Sequence, residues 1–429
     1  MLRFCLSALA LAVLPLAAQA AEPRAIANTV AEAIEGNYFD ENRAVEIADT
    51  VRRRAQSGAL DGIENPLSLA SALTAIIEPF DGHFRVTWAS PAEAGDSEEE
   101  ASENPAGRSL YGFGDQIRRA GYGFATVSIL PGNIGYIEMT NFADIDFDDP
   151  ADPAKRAADA ALALIAASDA VIIDLRTNGG GSPAMVGYLV SAFTPAGAPI
   201  YNEFQYRGGS ASEAPGVYYA APRLETPLYI VTSARTGSAA EALPYTLQAA
   251  DRAVVVGEAT AGGANPGGTI DVGEGFTVFV SNGSPVNPIT GGNWEGSGVV
   301  PDVEVPAEDA LRHAQILALD ALASRVDAAY RNDIAWSRAA LEADESAENS
   351  ADLAALAGSY GPYRIEAADD GLLLHQGRRP VKRLGRVSGD LFFERANPLI
   401  RYRFVREDGA VLALETHFAS GDLRRQERE

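Results

Sequence analysis

Apolar positions recur at helical spacing through residues 24 to 79: Ile26, Val30, Ala33 and Ile34, then Ala44, Ile47, Ala48 and Val51, then Leu67, Leu69, Leu73 and Ile76. Gly58 and Gly62 separate the second stripe from the third. The pattern predicts a small helical domain, followed by a strand over Phe84 to Trp88. From Gly123 the period changes. Phe124–Ile129 and Ile134–Met139 read as strands, 153 to 167 as a helix opening on Pro153, and Ala170–Leu175 as a buried strand. A Gly-rich turn and a helix over Ala184–Phe193 follow, then a strand at Leu228–Thr232, a turn, a helix from about Ser238 to Ala249 and a strand at Ala253–Val256. Strands alternating with helices predict an α/β core with mostly parallel strands. Helical spacing returns over Asp309 to about Glu342. Residues 353 to 429 carry short strands between turn signals such as Gly361-Pro362, Asp370-Gly371, Asp408-Gly409 and Ser420-Gly421-Asp422. They predict a small antiparallel β-domain, a barrel or half-barrel.

The first twenty residues read as a bacterial secretory signal. Arg3 gives the positive start, Leu9 to Ala18 the apolar run, and Ala18-Gln19-Ala20 the small-residue cleavage site. The run is too short to span a bilayer, so an exported, periplasmic or secreted protein is expected, with no stable membrane insertion after cleavage. Cys5, the sole cysteine, lies in this segment. A mature chain without thiols excludes disulfides, a cysteine nucleophile and cysteine-bound metals. The expected organisation is a signal over 1–20, a helical domain over 21–82, the core over 83–306, a helical linker over 307–345 and the β-domain over 346–429. Glu93 to Glu103 is an acidic stretch, expected to be a solvated loop. Fifty-nine acidic residues against 34 basic ones give a formal net charge of -25. No basic face is visible for nucleic acid, and an anionic membrane would repel this surface.

Two Gly-rich turns stand at the carboxyl ends of predicted buried strands, where open α/β sheets form their ligand sites. The first is Asp174-Leu-Arg-Thr-Asn178-Gly179-Gly180-Gly181, whose bare N–H groups suit an oxyanion hole or a tight turn. The second, Thr236-Gly237-Ser238-Ala239-Ala240-Glu241, puts Ser238 at a helix start. There a serine is either a nucleophile favoured by the helix dipole or simply an N-cap. Thr236 occupies the first glycine position of G-x-S-x-G, which disfavours an ordinary α/β-hydrolase elbow.

These two turns, followed by Val256-Gly-Glu258-Ala-Thr260-Ala-Gly262 and Gly298-Val-Val-Pro-Asp302-Val-Glu304-Val, resemble the tail-specific (carboxyl-terminal processing) protease family. That family includes the tricorn core and the retinoid-binding modules. The resemblance covers about residues 24 to 310. It implies a crotonase-like (ClpP/crotonase) spiral core, a peptide or protein substrate, Ser238 as nucleophile, and Gly180 and Ala239 as oxyanion donors through their backbone N–H groups. The sequence departs from the processing branch in two ways. Glycine, Gly263, stands where the catalytic lysine belongs, and the stretch from Trp88 to Gly123 is too short for an inserted PDZ domain.

The chain has only two lysines, Lys155 and Lys382, neither placed to act as base. Of four histidines, His313 lies on a charged helix and His375 and His417 in the β-domain. His83 follows Phe80-Asp81-Gly82 where the helices meet the first strand, the junction at which the tricorn-type branch carries its base. The resemblance also gives Glu295, ahead of the Gly298 motif, as third member of the relay. Asp81 competes as orienter of His83, and Gly82 replaces the tricorn-type serine. The expected mechanism is acyl transfer through Ser238 and His83, without metal or cofactor. Two rivals share the scaffold: a non-catalytic binding protein for an apolar ligand or peptide, and an acyl-CoA enzyme of crotonase type, which the export signal disfavours.

Overall fold

A computed structural model describes residues 22–90, 113–343, 350–368 and 371–429. The expected signal, the acidic stretch and one residue of the Asp370-Gly371 turn lie outside the described residues. In chain order the elements begin with α1 (Pro23–Asn37), α2 (Glu41–Gln56), α3 (Pro66–Ile77), β1 (Arg85–Trp88) and α4 (Phe113–Arg119). The middle of the chain gives β2 (Phe124–Leu130), β3 (Ile134–Met139), α5 (Pro153–Leu164), β4 (Ala170–Asp174), α6 (Pro183–Ser191), β5 (Glu203–Tyr206) and β6 (Gly209–Ser212). Then come β7 (Leu228–Thr232), α7 (Ala239–Ala249), β8 (Val254–Gly257), β9 (Gly267–Gly273), β10 (Phe276–Ser281), β11 (Gly283–Val286) and β12 (Val303–Glu304). The chain ends with α8 (Ala307–Leu322), α9 (Arg331–Glu342), α10 (Ser350–Leu356) and eight strands, β13 (Gly358–Tyr360) to β20 (Leu423–Glu427).

Among the described residues these elements fall into two compact units: one built from 22–90 together with 267–283, the other from the remaining described residues of 113–266 and 284–429. The first unit contains the three predicted helices. Asp40 caps α2 by accepting the N–H groups of Asn42 and Arg43, and Asn65 caps α3 through Ser68. Ile26, Val30, Ile34, Ile47, Val51, Leu69 and Leu73 are buried, as their spacing requires, while Leu67 is exposed. The unit is not helical alone. β1 pairs with β10 and β10 with β9, in the order β1-β10-β9. Val86, Val278 and Ile270 share one face, and Val86, Phe276, Val278 and Val280 join the helices' core cluster. The expected boundary at 82/83 therefore cuts through a packed unit, and residues 267–283 return to it from the middle of the expected core.

The second unit is mixed α/β. Its main sheet has the order β12-β8-β7-β4-β3-β2, parallel throughout except for β2. Alternate residues face opposite layers. Ile137, Ile173 and Ile230 pack with α5, α6 and α7, while Tyr136, Ile172, Tyr229 and Val231 pack under Ala310, Ala314 and Leu319 of α8. The helical stretch after 307 breaks between Leu322 and Arg331. The last eight strands form one antiparallel sheet in sequential order. Tyr360 bridges to Arg428, and Glu429 N–H donates to Ser359 C=O at 3.0 Å, so the first strand meets the chain end. Leu353 and Leu356 of α10 bury into the same cluster as Phe392, Tyr402 and Phe404. Among the described residues no helix is long and apolar enough to cross a membrane.

Candidate active site

The turns after β4 and β7 are bonded to each other. Thr236 Oγ1 donates to the Leu175 carbonyl at 2.8 Å and accepts Ser233 N–H at 3.0 Å. Gly237 N–H donates to the Asn178 carbonyl at 3.1 Å, and Ser233 Oγ to that of Arg176 at 2.7 Å. Thr236 thus stands at the first glycine place of an elbow because its buried hydroxyl links two strand ends. Asp174 and Arg176 brace the same sheet edge: their ion pair is 2.6 Å long, and Arg176 Nη1 donates to the Ala307 carbonyl at 2.7 Å.

Ser238 opens α7 with φ 55° and ψ -127° and is exposed. A non-glycine residue at positive φ costs on the order of 1–3 kcal/mol and persists only where its surroundings over-determine it. Glu241, completely buried, supplies part of that constraint by accepting Ser238 N–H at 2.8 Å. Ala239 N–H lies in the first helical turn, where no earlier carbonyl is available to it and the helix dipole favours negative charge.

Gly180 enters through its missing side chain. At φ 117°, a Cβ on it would lie 2.8 Å from Ser238 Cβ and 3.2 Å from Ala239 N. Its own N–H, expected to be an oxyanion donor, donates to Asn178 Oδ1 at 2.9 Å. The buried Asn178 side chain takes this amide, and Gly180 also contributes open space beside Ser238 and Ala239. The exposed glycines Gly179 and Gly181 flank it.

The loop after β8 is held by two carboxylates. Glu241 Oε1 accepts Thr260 Oγ1 at 2.5 Å and Gly262 N–H at 2.7 Å, and Oε2 accepts Gly263 N–H at 2.8 Å. Glu295 Oε2 accepts the next two amides, Ala264 at 2.8 Å and Asn265 at 3.0 Å. Four consecutive N–H groups thus end on two side chains. With Ser238 N–H, Glu241 has four donors for about four lone-pair sites, which leaves it unable to act as base or metal ligand.

Residues 133–305 match the family model described as peptidase family S41. This segment belongs to that tail-specific protease family. Among solved structures, the chain is similar to a protein from Parabacteroides merdae ATCC 43184, at 18% identity and TM-score 0.48, over 71% of this chain and 99% of that one. It is also similar to a photosystem II D1 C-terminal processing protease, at 15% identity and TM-score 0.42, over 67% and 94% of the two chains. The tricorn protease matches at 14% identity and TM-score 0.41, over 68% and 35%.

Within this S41 segment the loop anchored by Glu241 and Glu295 contains the lysine position, Gly263. Both lysines of the chain are engaged elsewhere. Lys155 pairs with Asp159 at 3.0 Å and Lys382 with Glu394 at 2.8 Å. Three histidines have local partners: His313 Nδ1 lies 3.1 Å from the Asp309 carbonyl, His375 pairs with Glu366 and His417 with Glu415. His83 belongs to the first unit, on the turn that leads into β1. There it lines a cavity of about 260 Å³ with Arg85, Thr87, Thr269, Thr277 and Phe279. The second unit holds Ser238, Ala239, Gly180 and Glu295. Glu241 and Asn178 were not singled out in the sequence. The signal for Glu241 was present in Ser238-x-x-Glu241, the capping-box spacing at a helix start.

Proposed function

We propose that the protein is an exported serine peptidase with an acyl-enzyme mechanism on a crotonase-like core. The observation that carries this reading is the strained, exposed Ser238, fixed by Glu241 beside the Ala239 N–H and the bare Cα of Gly180. Both lysines are ion-paired, and His83 stands at the junction where the resemblance places the base; His83 is the base. It takes the Oγ proton as Ser238 attacks the peptide carbonyl carbon. The oxyanion settles against Ala239 N–H, with a second donor from the glycine triplet. Collapse breaks the C–N bond, and the imidazolium returns its proton to the leaving amine. Water, deprotonated by the same imidazole, then releases the acyl group and restores Ser238. The resemblance gives Glu295 the third place. The leader-like first twenty residues support action outside the cytoplasm. Fluorophosphonate labelling and hydrolysis of an unstructured peptide test the reading. Both are expected in the wild type and in neither Ser238→Ala nor His83→Ala. Wild-type turnover in a folded Ser238→Ala protein would refute it.

A further inference from the structure

His83 has a carboxylate partner in its own unit. Residues 81 to 84 form a turn closed by Phe84 N–H, which donates to the Asp81 carbonyl at 3.1 Å. The Asp81 side chain folds over this turn. Its Oδ1 accepts His83 N–H at 2.9 Å and lies 3.3 Å from His83 Nδ1. The Asp81 side chain is 1% exposed and the imidazole 25% exposed. One buried oxygen therefore fixes both the backbone and the ring of the proposed base, and a ring held at Nδ1 presents Nε2 outward.

Asp81 is itself held. Tyr38, fully buried at the end of α1, hydrogen-bonds the Asp81 carboxylate through its hydroxyl. Its N–H closes α1 onto the Ile34 carbonyl, and its ring stacks on Phe84 with centroids 5.2 Å apart. Burial first, and the Asp81 charge second, raise the phenol far above its ordinary value, so it remains a donor at any working pH. Arg43, which donates to the Phe80 carbonyl at 3.1 Å, and Asp40 are the other charges acting on Tyr38. The chain Tyr38–Asp81–His83 runs inward from a partly exposed ring to a fully buried phenol, all on α1 and one turn.

We propose that Asp81, held by Tyr38, is the positioning carboxylate of the catalytic base: it accepts the Nδ1–H of His83 and stabilises the imidazolium formed when Nε2 takes the Ser238 proton. This rests on the reading of His83 as base. It assigns to Asp81 a role that the family pattern gives to Glu295, one of whose oxygens carries the amides of Ala264 and Asn265. Gly82, where a tricorn-type relay has serine, is then no loss, because the orienting group sits one residue earlier.

The test compares Asp81→Asn, Tyr38→Phe, Glu295→Gln and His83→Ala, each checked for folding by thermal melting. Asn keeps an oxygen for the turn, and Phe keeps the stacked ring. Expected are a fall in kcat of about a hundredfold or more in Asp81→Asn, with KM little changed, and of about tenfold in Tyr38→Phe. Proton NMR of the fluorophosphonate adduct supplies a readout that a merely structural turn would not move. A low-field Nδ1–H resonance is expected in the wild type, absent in Asp81→Asn, and retained in Glu295→Gln. If His83→Ala is inactive while Asp81→Asn keeps wild-type kcat and the resonance, this proposal fails alone. Wild-type turnover in His83→Ala overturns the base, and Asp81's role with it.

Discussion

Replacing Glu241 by Gln changes almost no volume but exchanges one acceptor oxygen for a donor. Oε2 serves Ser238 N–H and Gly263 N–H, both backbone donors that cannot turn away. Oε1 serves Gly262 N–H and the Thr260 hydroxyl, and that hydroxyl can rotate. The amide NH2 therefore takes the Oε1 place, keeps Ser238 and Gly263 on the remaining oxygen, and strands Gly262 N–H in a buried site. A stranded buried donor costs about 1–3 kcal/mol, and each of the two retained bonds loses about 1 kcal/mol of charge assistance. Relief of the buried charge offsets part of this. The net expectation is a loss of about 2–4 kcal/mol. Glu241→Ala loses all four bonds, including the one that constrains Ser238.

Thermal melting and the second-order rate of fluorophosphonate labelling read the two effects separately. Glu241→Gln is expected to melt lower yet to label within about tenfold of the wild type, because Ser238 N–H stays bonded. Glu241→Ala, where it folds, is expected to label at least about a hundredfold more slowly. Equal melting of wild type and Glu241→Gln, or equal labelling of all three, would show that the carboxylate does not hold this turn.

Gly180→Ala puts a methyl 2.8 Å from Ser238 Cβ at φ 117°; it is expected to cost about 1–3 kcal/mol in denaturant unfolding and about a hundredfold in kcat. Glu213, fully buried with Asn202 Nδ2 donating to it at 2.7 Å, is pushed up to about 8 by burial. Its folded form holds a proton that the unfolded chain releases above its ordinary range, so stability falls from about pH 4.5 to about pH 8, by up to about 1.4 kcal/mol per pH unit. Glu213→Gln is therefore expected to melt above the wild type at pH 8–9 and near it at pH 4, and parallel melting curves would refute the assignment. Gly263→Lys is expected to leave peptide hydrolysis unchanged or lower, since a cation there opposes protonation of an imidazole base. Robust turnover in Gly263→Lys combined with His83→Ala would show that a Ser-Lys pair runs the site instead.

The helical stripes of α1 to α3 and the parallel core were legible because burial on one face leaves a period of 3.6, and burial on both faces leaves continuous apolar runs such as Val171-Ile-Ile173. The hairpin β9–β10 was not. Gly267 and Gly268 weaken its alternation, and its partner β1 lies some 190 residues earlier, as in Thr87 opposite Thr277. The hydroxyl of Thr87 meets that of Thr277 at 2.8 Å, a pairing no local pattern announces. The two turns of the site were legible as glycine clusters, but their division of labour was not. Spacing shows that Gly180 is a glycine; only the structure shows the bond from its N–H to Asn178 and the close approach of Ser238 and Ala239. Glu241 was hidden for the opposite reason: a glutamate in a first helical turn is ordinary, and the fact that it gathers amides from twenty residues away is a property of the fold.

The conformation of Ser238 separates the two roles a serine can have at a helix start. An N-cap serine adopts extended φ/ψ and turns its hydroxyl back onto the helix; Asp40 at φ -94° and Ser182 at φ -84° do so in this chain. Ser238, at φ 55°, departs from that conformation although its helix start carries the capping-box pair Ser238 and Glu241. The strain is sustained by the capping-box bond of Glu241 on its N–H and by Thr236 and Gly237, which tie the turn to the neighbouring strand end. A binding scaffold without chemistry has no use for that expense in its backbone. The proposed attacking hydroxyl does, because the strained turn, at about 1–3 kcal/mol, sets Ser238 beside the Ala239 N–H, in the first helical turn where negative charge is favoured.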